Sequence, residues 1–203
     1  MTIADAPTGR LRILDEAAAL FLQRGYAETS LRHIASAAGM QAGSVYYHFA
    51  SKDAILEEIL RQGIVAVDDV FIGVAARLIA DASPSERLRA HVRAHLGALF
   101  EHGAYTAAHV TVFPSAPPSV RAASIPVRDA YEQRWQGLLE DLAPQDTETD
   151  LTVVRLLLLG AMSSALEWFD PSGARSLDDI TATIVGQTLL GLHHPPPQPE
   201  SPA

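Results

Sequence analysis

Apolar residues recur along this chain at helical spacing. Leu11, Leu14, Ala18, Phe21 and Leu22 stand at i, i+3, i+7, i+10 and i+11, one face of an amphipathic helix. Gly25 follows where a left-handed C-terminal cap is wanted. Thr29-Ser30 then offers the N-cap of a short helix with Leu31, Ile34, Ala35 and Ala38 on its apolar side, ending at Gly39. The pattern predicts a second short helix over Ala42 to Phe49, with Val45 and Phe49 at i and i+4. Ser51 is placed to cap a longer helix that carries Ile55, Leu56, Ile59 and Leu60 towards Phe71.

Further helices are predicted from Ser83-Pro84 to His102, near Tyr105 to Phe113, from about Ser119 to Leu142, from Thr149 to Phe169 and from Leu177 to Leu192. Pro126 inside the third of these must kink it or mark its true start. No segment alternates with strand period and none repeats, so the fold class is all-α. The proline-rich stretch 194–203 reads as a disordered tail. Leu151 to Phe169 is apolar and close to the ~20 residues of a membrane span. It contains Arg155 and Glu167, and placing one charge in lipid costs ~2.5–3.5 kcal/mol. A protein-covered core helix is the expectation, with no membrane partner.

Composition removes several chemistries. The chain has 203 residues, 48% apolar and 19% charged, enough for a real core. It has no cysteine, which excludes disulfides, thiolate metal sites and cysteine nucleophiles. Met1 to Arg10 has no apolar core of a secretory signal, so a cytoplasmic location is expected. No Ser–His–acid arrangement, glycine-rich phosphate loop or paired carboxylate motif is present. Neither an enzyme nor a cofactor is expected. His91 and His95 have the i, i+4 spacing that permits a shared metal, but Arg89 and Arg93 flank them, and no metal site is assigned.

The net charge is −9, and its distribution is informative. Residues 1–55 carry five cations (Arg10, Arg12, Arg24, Arg32 and Lys52) against five acids, whereas the remaining 148 carry ten arginines against nineteen acids. A polyanion is repelled by most of this chain and approaches only its N-terminal end.

That end has the proportions of a helix-turn-helix. Ala35 and Ala38 are small enough for two helices to pack closely, and Gly39 tolerates the positive φ of the turn. Gln41, Ala42, Gly43 and Ser44 open the second helix with small or polar side chains, so its backbone can approach base edges. The run Ile34-Ala35-Ser36-Ala37-Ala38-Gly39-Met40, then Gly43-Ser44-Val45-Tyr46-Tyr47-His48-Phe49, then Ser51-Lys52-Asp53, closely resembles the N-terminal domain of TetR-family transcriptional regulators. The resemblance covers about residues 10–60. It implies a three-helix DNA-binding domain (8–55) joined to a helical effector-binding and dimerisation domain (56–193). It also implies a homodimer that leaves a double-stranded DNA operator when a small molecule binds.

Carried over by position, the resemblance gives each residue a role. Arg32 reaches a base edge, guanine being suited to its bidentate fork. Ser30 lies beside a phosphate, and Gln41 and Ser44 face bases or phosphates, with Ala42 and Gly43 keeping the approach open. Tyr46, Tyr47 and His48 touch the sugar–phosphate backbone, one tyrosine contacting DNA while the other packs. Lys52, the only lysine of the chain, adds its charge at a phosphate. The family usually has Ser or Thr where Gln41 stands, so the usual cap of the recognition helix is missing. So few cations predict that a dimer neutralises only ~4–8 phosphates and has a shallow salt dependence, with slope no steeper than about −9.

In the larger domain, the last two helices are the expected dimer interface. Gly160, Ala161, Ser163, Ser164 and Ala165 allow close approach, and Ile180, Ile184, Val185, Leu189 and Leu192 form a wide apolar stripe. Polar residues on apolar helices mark a candidate pocket: His109, Arg128, Tyr131 and Trp135. Arg128 and Arg134 can hold a carboxylate or phosphate, or lie on the surface beside Asp129 and Glu132. The segment Trp168-Phe169-Asp170-Pro171-Ser172-Gly173 resembles TetR regulators that respond to acyl-CoA or steroid-derived CoA thioesters, which implies an apolar tunnel with a cationic mouth. The rival reading is a helical small-molecule or partner-binding protein that does not bind DNA.

Overall fold

The computed structural model describes residues 9–78 and 81–193, and the tail expected at 194–203 lies outside them. Nine α-helices are found among the described residues: α1 (Gly9–Arg24), α2 (Leu31–Ala37), α3 (Ala42–His48), α4 (Lys52–Arg77), α5 (Pro84–Glu101), α6 (Gly103–Thr111), α7 (Pro118–Leu142), α8 (Leu151–Trp168) and α9 (Leu177–His193). A 3-10 turn, Phe113–Ser115, joins α6 to α7. No strand is present among the described residues.

Local chemistry sets most of these boundaries. Gly25 and Gly39 have φ of 82° and 65°, the left-handed conformation that stops α1 and the turn after α2. The Ser30 hydroxyl accepts from the His33 amide at 3.2 Å, and the Ser30 amide donates to His33 Nδ1 at 3.3 Å, a reciprocal cap for α2. The Ser51 hydroxyl accepts from the Ala54 amide at 3.1 Å at the start of α4. Asp150 accepts from the amides of Thr152 and Val153 to open α8. The start of α7 at Pro118 shows that Pro126 does not begin that helix. Pro126 cannot donate to the Ala122 carbonyl four residues back, and both residues are exposed, so water can take that acceptor.

The described residues divide into two compact units. Unit 1 holds the described residues up to Ala66 together with His102–Arg128, and unit 2 holds Val67–Glu101 and the described residues from Asp129 on. Helices α4 and α7 contribute to both. The core of unit 1 joins Ile13, Leu14 and Phe21 of α1, Ile34 of α2, Val45 of α3 and Ile55, Leu56, Ile59 and Leu60 of α4 to Ala108, Val112 and Val120. Helix α6 thus completes the N-terminal core. At Gly63 of α4 an added Cβ would stand 2.5 Å from the Tyr105 carbonyl oxygen of α6. The two main chains meet there with no side chain between them.

In unit 2, α5 packs against α8 and α9, and α8 against α9. Leu88, Val92 and Leu96 of α5, Trp135 and Leu139 of α7, and Leu158, Met162 and Ala165 of α8 are buried. The expectation that Leu151–Trp168 is a covered core helix needs correction. Only 17% of it is buried, although it is long and apolar enough to cross a membrane. Its inner face carries Arg155, Leu158, Met162 and Ala165. Its outer face exposes Val153, Leu156, Leu157 and Trp168, with Leu157 69% exposed.

Candidate nucleic-acid interface

The α2–turn–α3 segment presents one continuous polar edge. Ile34, Ala35, Ala38, Val45 and Phe49 are buried, which fixes the opposite side of each helix outward. Helix α3 therefore exposes Gly43, Ser44, Tyr46 and Tyr47, with Gln41 exposed just before it and Ala42 half-buried. Gln41 makes no side-chain cap, in line with the missing Ser or Thr at this position. The Ser44 amide donates instead to the Gln41 main-chain carbonyl at 2.9 Å. Ser30, the cap of α2, and Arg32, on its first turn, are exposed.

Two expectations change in detail. Tyr46 and Tyr47 do not divide into one packed and one outward ring: they are 60% and 86% exposed. Val45 and Phe49 already fill the inward positions of this short helix, so both phenols stay in solvent. Tyr47 meets His48 edge-on at 5.1 Å. His48 is half-buried, and an added Cβ on Gly9 would lie 3.2 Å from its Nε2, which places the ring against the start of α1.

Lys52 differs more. Its ammonium donates to the carbonyls of Tyr26 at 2.7 Å and Thr29 at 2.8 Å, and more weakly to Ala27 at 3.4 Å. It also lies 4.1 Å from the centre of the Tyr26 ring. Its donors are directed into the protein, where a phosphate contact was expected. The Tyr26 hydroxyl donates to Asp53, and burial with that carboxylate raises the phenol's pKa. Arg10 is spent as well, 4.8 Å over the Phe49 ring and 3.4 Å from Glu58. Glu58 also accepts from Arg61 at 2.8 and 3.0 Å, which, with Gln62, lowers its pKa to about 2 against the opposing effect of burial.

The four residues expected to mark one pocket fall in both units. In unit 1, His109 Nε2 donates to the Leu60 carbonyl at 2.6 Å, and burial lowers its pKa. Arg128 lies 5.2 Å over the Phe113 ring. In unit 2, Tyr131 and Trp135 join Phe71, His91 and His95 in an aromatic cluster, Phe71 and Trp135 being 5.1 Å apart. The Tyr131 hydroxyl and His95 Nδ1 share a hydrogen bond of 2.5 Å. Burial drives the pKa of His95 down to about 3 and holds its ring neutral. His91 donates from Nδ1 to the Arg87 carbonyl at 2.8 Å, and burial lowers its pKa also. The i, i+4 spacing of these two histidines thus serves the aromatic cluster. Beside it opens a groove of about 530 Å³ lined in part by Phe71, His91, Arg87, Arg134, Leu138 and Asp141.

A capped short helix, a turn through left-handed Gly39 and a second short helix with an exposed polar and aromatic edge define a helix-turn-helix DNA-binding protein. Comparison with known proteins agrees over nearly the whole chain. The model of bacterial regulatory proteins of the tetR family matches residues 13–59, and that of the tetracyclin repressor-like C-terminal domain matches residues 81–192. The HTH-type transcriptional repressor KstR2 of Mycobacterium tuberculosis is 30% identical over 189 residues, 90% of each chain. The crystal structure of AibR in complex with isovaleryl coenzyme A and operator DNA superposes with a TM-score of 0.75 at 26% identity, over 88% of this chain and 97% of that one. The TetR-family regulator PfmR from Thermus thermophilus gives a TM-score of 0.71 at 27% identity, over 90% and 97%. The chain belongs to the TetR family: it is a DNA-binding transcriptional regulator and not an enzyme.

Proposed function

We propose that the protein is a homodimeric cytoplasmic repressor that releases its operator when an apolar, acyl-CoA-like effector binds in unit 2. The observation that carries the effector class is the similarity to AibR, solved with isovaleryl coenzyme A and operator DNA, while the similarity to the repressor KstR2 supports repression. Each DNA-facing residue keeps a defined role in this reading. Arg32 reads a base edge, Gln41 and Ser44 lie against bases or phosphates, and Tyr46 and Tyr47 donate to phosphate oxygens. Ser30, whose hydroxyl already caps α2, stands at the phosphate edge.

The dimer reading is supported by α8. A stripe of Val153, Leu156, Leu157, Gly160 and Ala161 faces solvent in one protomer. Thr183, Gly186, Gln187 and Leu190 are exposed on the neighbouring α9. A second copy covers both stripes and forms a four-helix bundle. It also accounts for α8 without a membrane, because Arg155 on its inner face is held by Glu132 and Gln136 of α7.

The groove beside the aromatic cluster is the proposed effector entrance. Phe71, Leu78 and Leu138 supply its apolar lining, and Arg87 and Arg134 line it as well. Arg87 pairs with Asp141 at 3.0 Å and Arg134 with Asp68 at 2.6 Å. An anionic headgroup would compete with these carboxylates, while the apolar tail gains ~25 cal/mol per Å² buried. Release follows if the effector prefers a conformation that binds operator poorly, and its strength equals that difference in affinity. The test is fluorescence anisotropy on the promoter of the protein's own gene, titrated with isovaleryl-, palmitoyl- and steroid acyl-CoA. Release by at least one is expected. Retention of DNA with all three overturns the effector class and leaves DNA binding intact.

A further inference from the structure

The single lysine sits at the first position of α4, where the aligned amides create the positive end of the helix and an ammonium is electrostatically misplaced. The preceding loop offers it a better setting. Carbonyls of Tyr26, Ala27 and Thr29 converge on Nζ at 2.7, 3.4 and 2.8 Å, and the Tyr26 ring closes the site from one face. The next residue of α4, Asp53, accepts from the Tyr26 hydroxyl. The first two residues of α4 therefore grip Tyr26 at both its carbonyl and its phenol.

The gripped loop leads directly into the DNA-reading segment. The Thr29 carbonyl belongs to the peptide bond before Ser30, and Ser30 is the cap from which α2 starts. The Thr29 side chain is buried and donates to the Gly25 carbonyl at 2.8 Å, so this peptide is held from inside as well. Two residues further on, Arg32 projects into solvent.

We infer that Lys52 is a positioning residue for DNA recognition: it fixes the Tyr26–Thr29 loop, and through it the N-terminus of α2 with Ser30 and Arg32, without itself touching DNA. The inference rests on DNA binding by the helix-turn-helix, which family membership establishes, and it is independent of the effector. A phosphate contact would require Nζ to turn away from these three carbonyls, of which that of Tyr26 also accepts from the Thr29 amide at 3.3 Å.

The two roles make opposite predictions for salt. Each phosphate neutralised contributes about 0.9 to the slope of log K against log[salt]. In a Lys52→Met variant the full-length protein is expected to bind its promoter about tenfold more weakly with an unchanged slope. Binding to random duplex of equal length should stay the same. A general loss of stability would not alter the specific-to-random ratio at a temperature where circular dichroism shows the variant folded. A slope reduced by about 0.9 per subunit, or an unchanged promoter affinity, overturns the inference. Should the variant not fold, the wild type decides. With one lysine in the chain, ¹⁵N-lysine labelling gives a single side-chain ammonium resonance. It is expected to keep its position when promoter DNA is added, and a large shift on DNA addition overturns the positioning role.

Discussion

Unit 1 and unit 2 each leave large side chains in water, but of opposite kinds. On α3 the exposed groups are two phenols beside glycine and serine, on a seven-residue helix whose interior needs are met by Val45 and Phe49. On α8 they are Val153, Leu156 and Leu157, aliphatic groups with no polar atom to offer. The first surface suits a hydrated, charged partner that rewards hydrogen bonds, and the second suits a partner that removes apolar area from water. The interiors differ as well. In unit 1 the inward polar side chains of Thr29 and His109 donate to main-chain carbonyls. In unit 2 they pair with one another: His95 with Tyr131, and Arg155 with the half-buried Glu132.

The contrast is most easily broken at α8. Leu157→Glu places an unpaired charge in the proposed interface and should convert the dimer to monomer in sedimentation velocity. Loss of the second half-site should weaken operator binding by about 100-fold or more. A dimer that survives this change removes α8 from the interface. Next in size is the ion pair of unit 2. Glu132→Leu leaves the Arg155 guanidinium, 9% exposed, without its carboxylate and should cost about 3–5 kcal/mol in urea unfolding. Adding Arg155→Met should recover most of that loss, because an apolar pair of similar volume needs no partner charge. On unit 1, Arg32→Ala should lose about 1–3 kcal/mol of operator affinity and relax the preference at one base pair, with the unfolding midpoint unchanged. A uniform loss across all sequences would make Arg32 a phosphate contact.

The smallest effect is a pH dependence. His95 ionises in the folded state only near pH 3, against an ordinary value of 6.5. Between those values the unfolded chain takes up a proton that the folded one refuses, so stability falls as pH is lowered through that window. The slope is at most about 1.4 kcal/mol per pH unit for one such group. Burial lowers the pKa of His91 as well, with the same sign. His95→Phe should flatten the urea midpoint against pH between 7 and 5 by one proton's worth, and an unchanged slope would show that His95 does not titrate on unfolding.

Features set by neighbours in the chain could be read from the sequence. Gly25, Ser30, Gly39 and Ser51 stop or start helices through contacts within a few residues, and each lies where residue type and spacing placed it. The helix-turn-helix followed from the same local signals and from its resemblance to a known family. Partners far along the chain were not legible. Lys52 meets carbonyls 23 to 26 positions away, and nothing in residue type distinguishes a carbonyl acceptor from a phosphate. His109, Arg128, Tyr131 and Trp135 look alike as polar or aromatic interruptions of apolar helices, yet packing sends two to each unit. The apolar α8 reads as a covered core because hydropathy records only that a surface avoids water. Whether the chain itself or a second copy covers it depends on tertiary contacts.

The meeting of α4 and α6 at Gly63 has a consequence for how this sequence can vary. An alanine there would press a methyl carbon to 2.5 Å from the Tyr105 carbonyl oxygen, and a rigid peptide offers no rotamer by which to yield. Substitutions elsewhere in the buried layer can be answered by a neighbour of complementary size. This one can be answered only by moving a whole helix. In a saturation library selected for repression, position 63 should tolerate glycine alone, while the leucines and isoleucines around it exchange with one another.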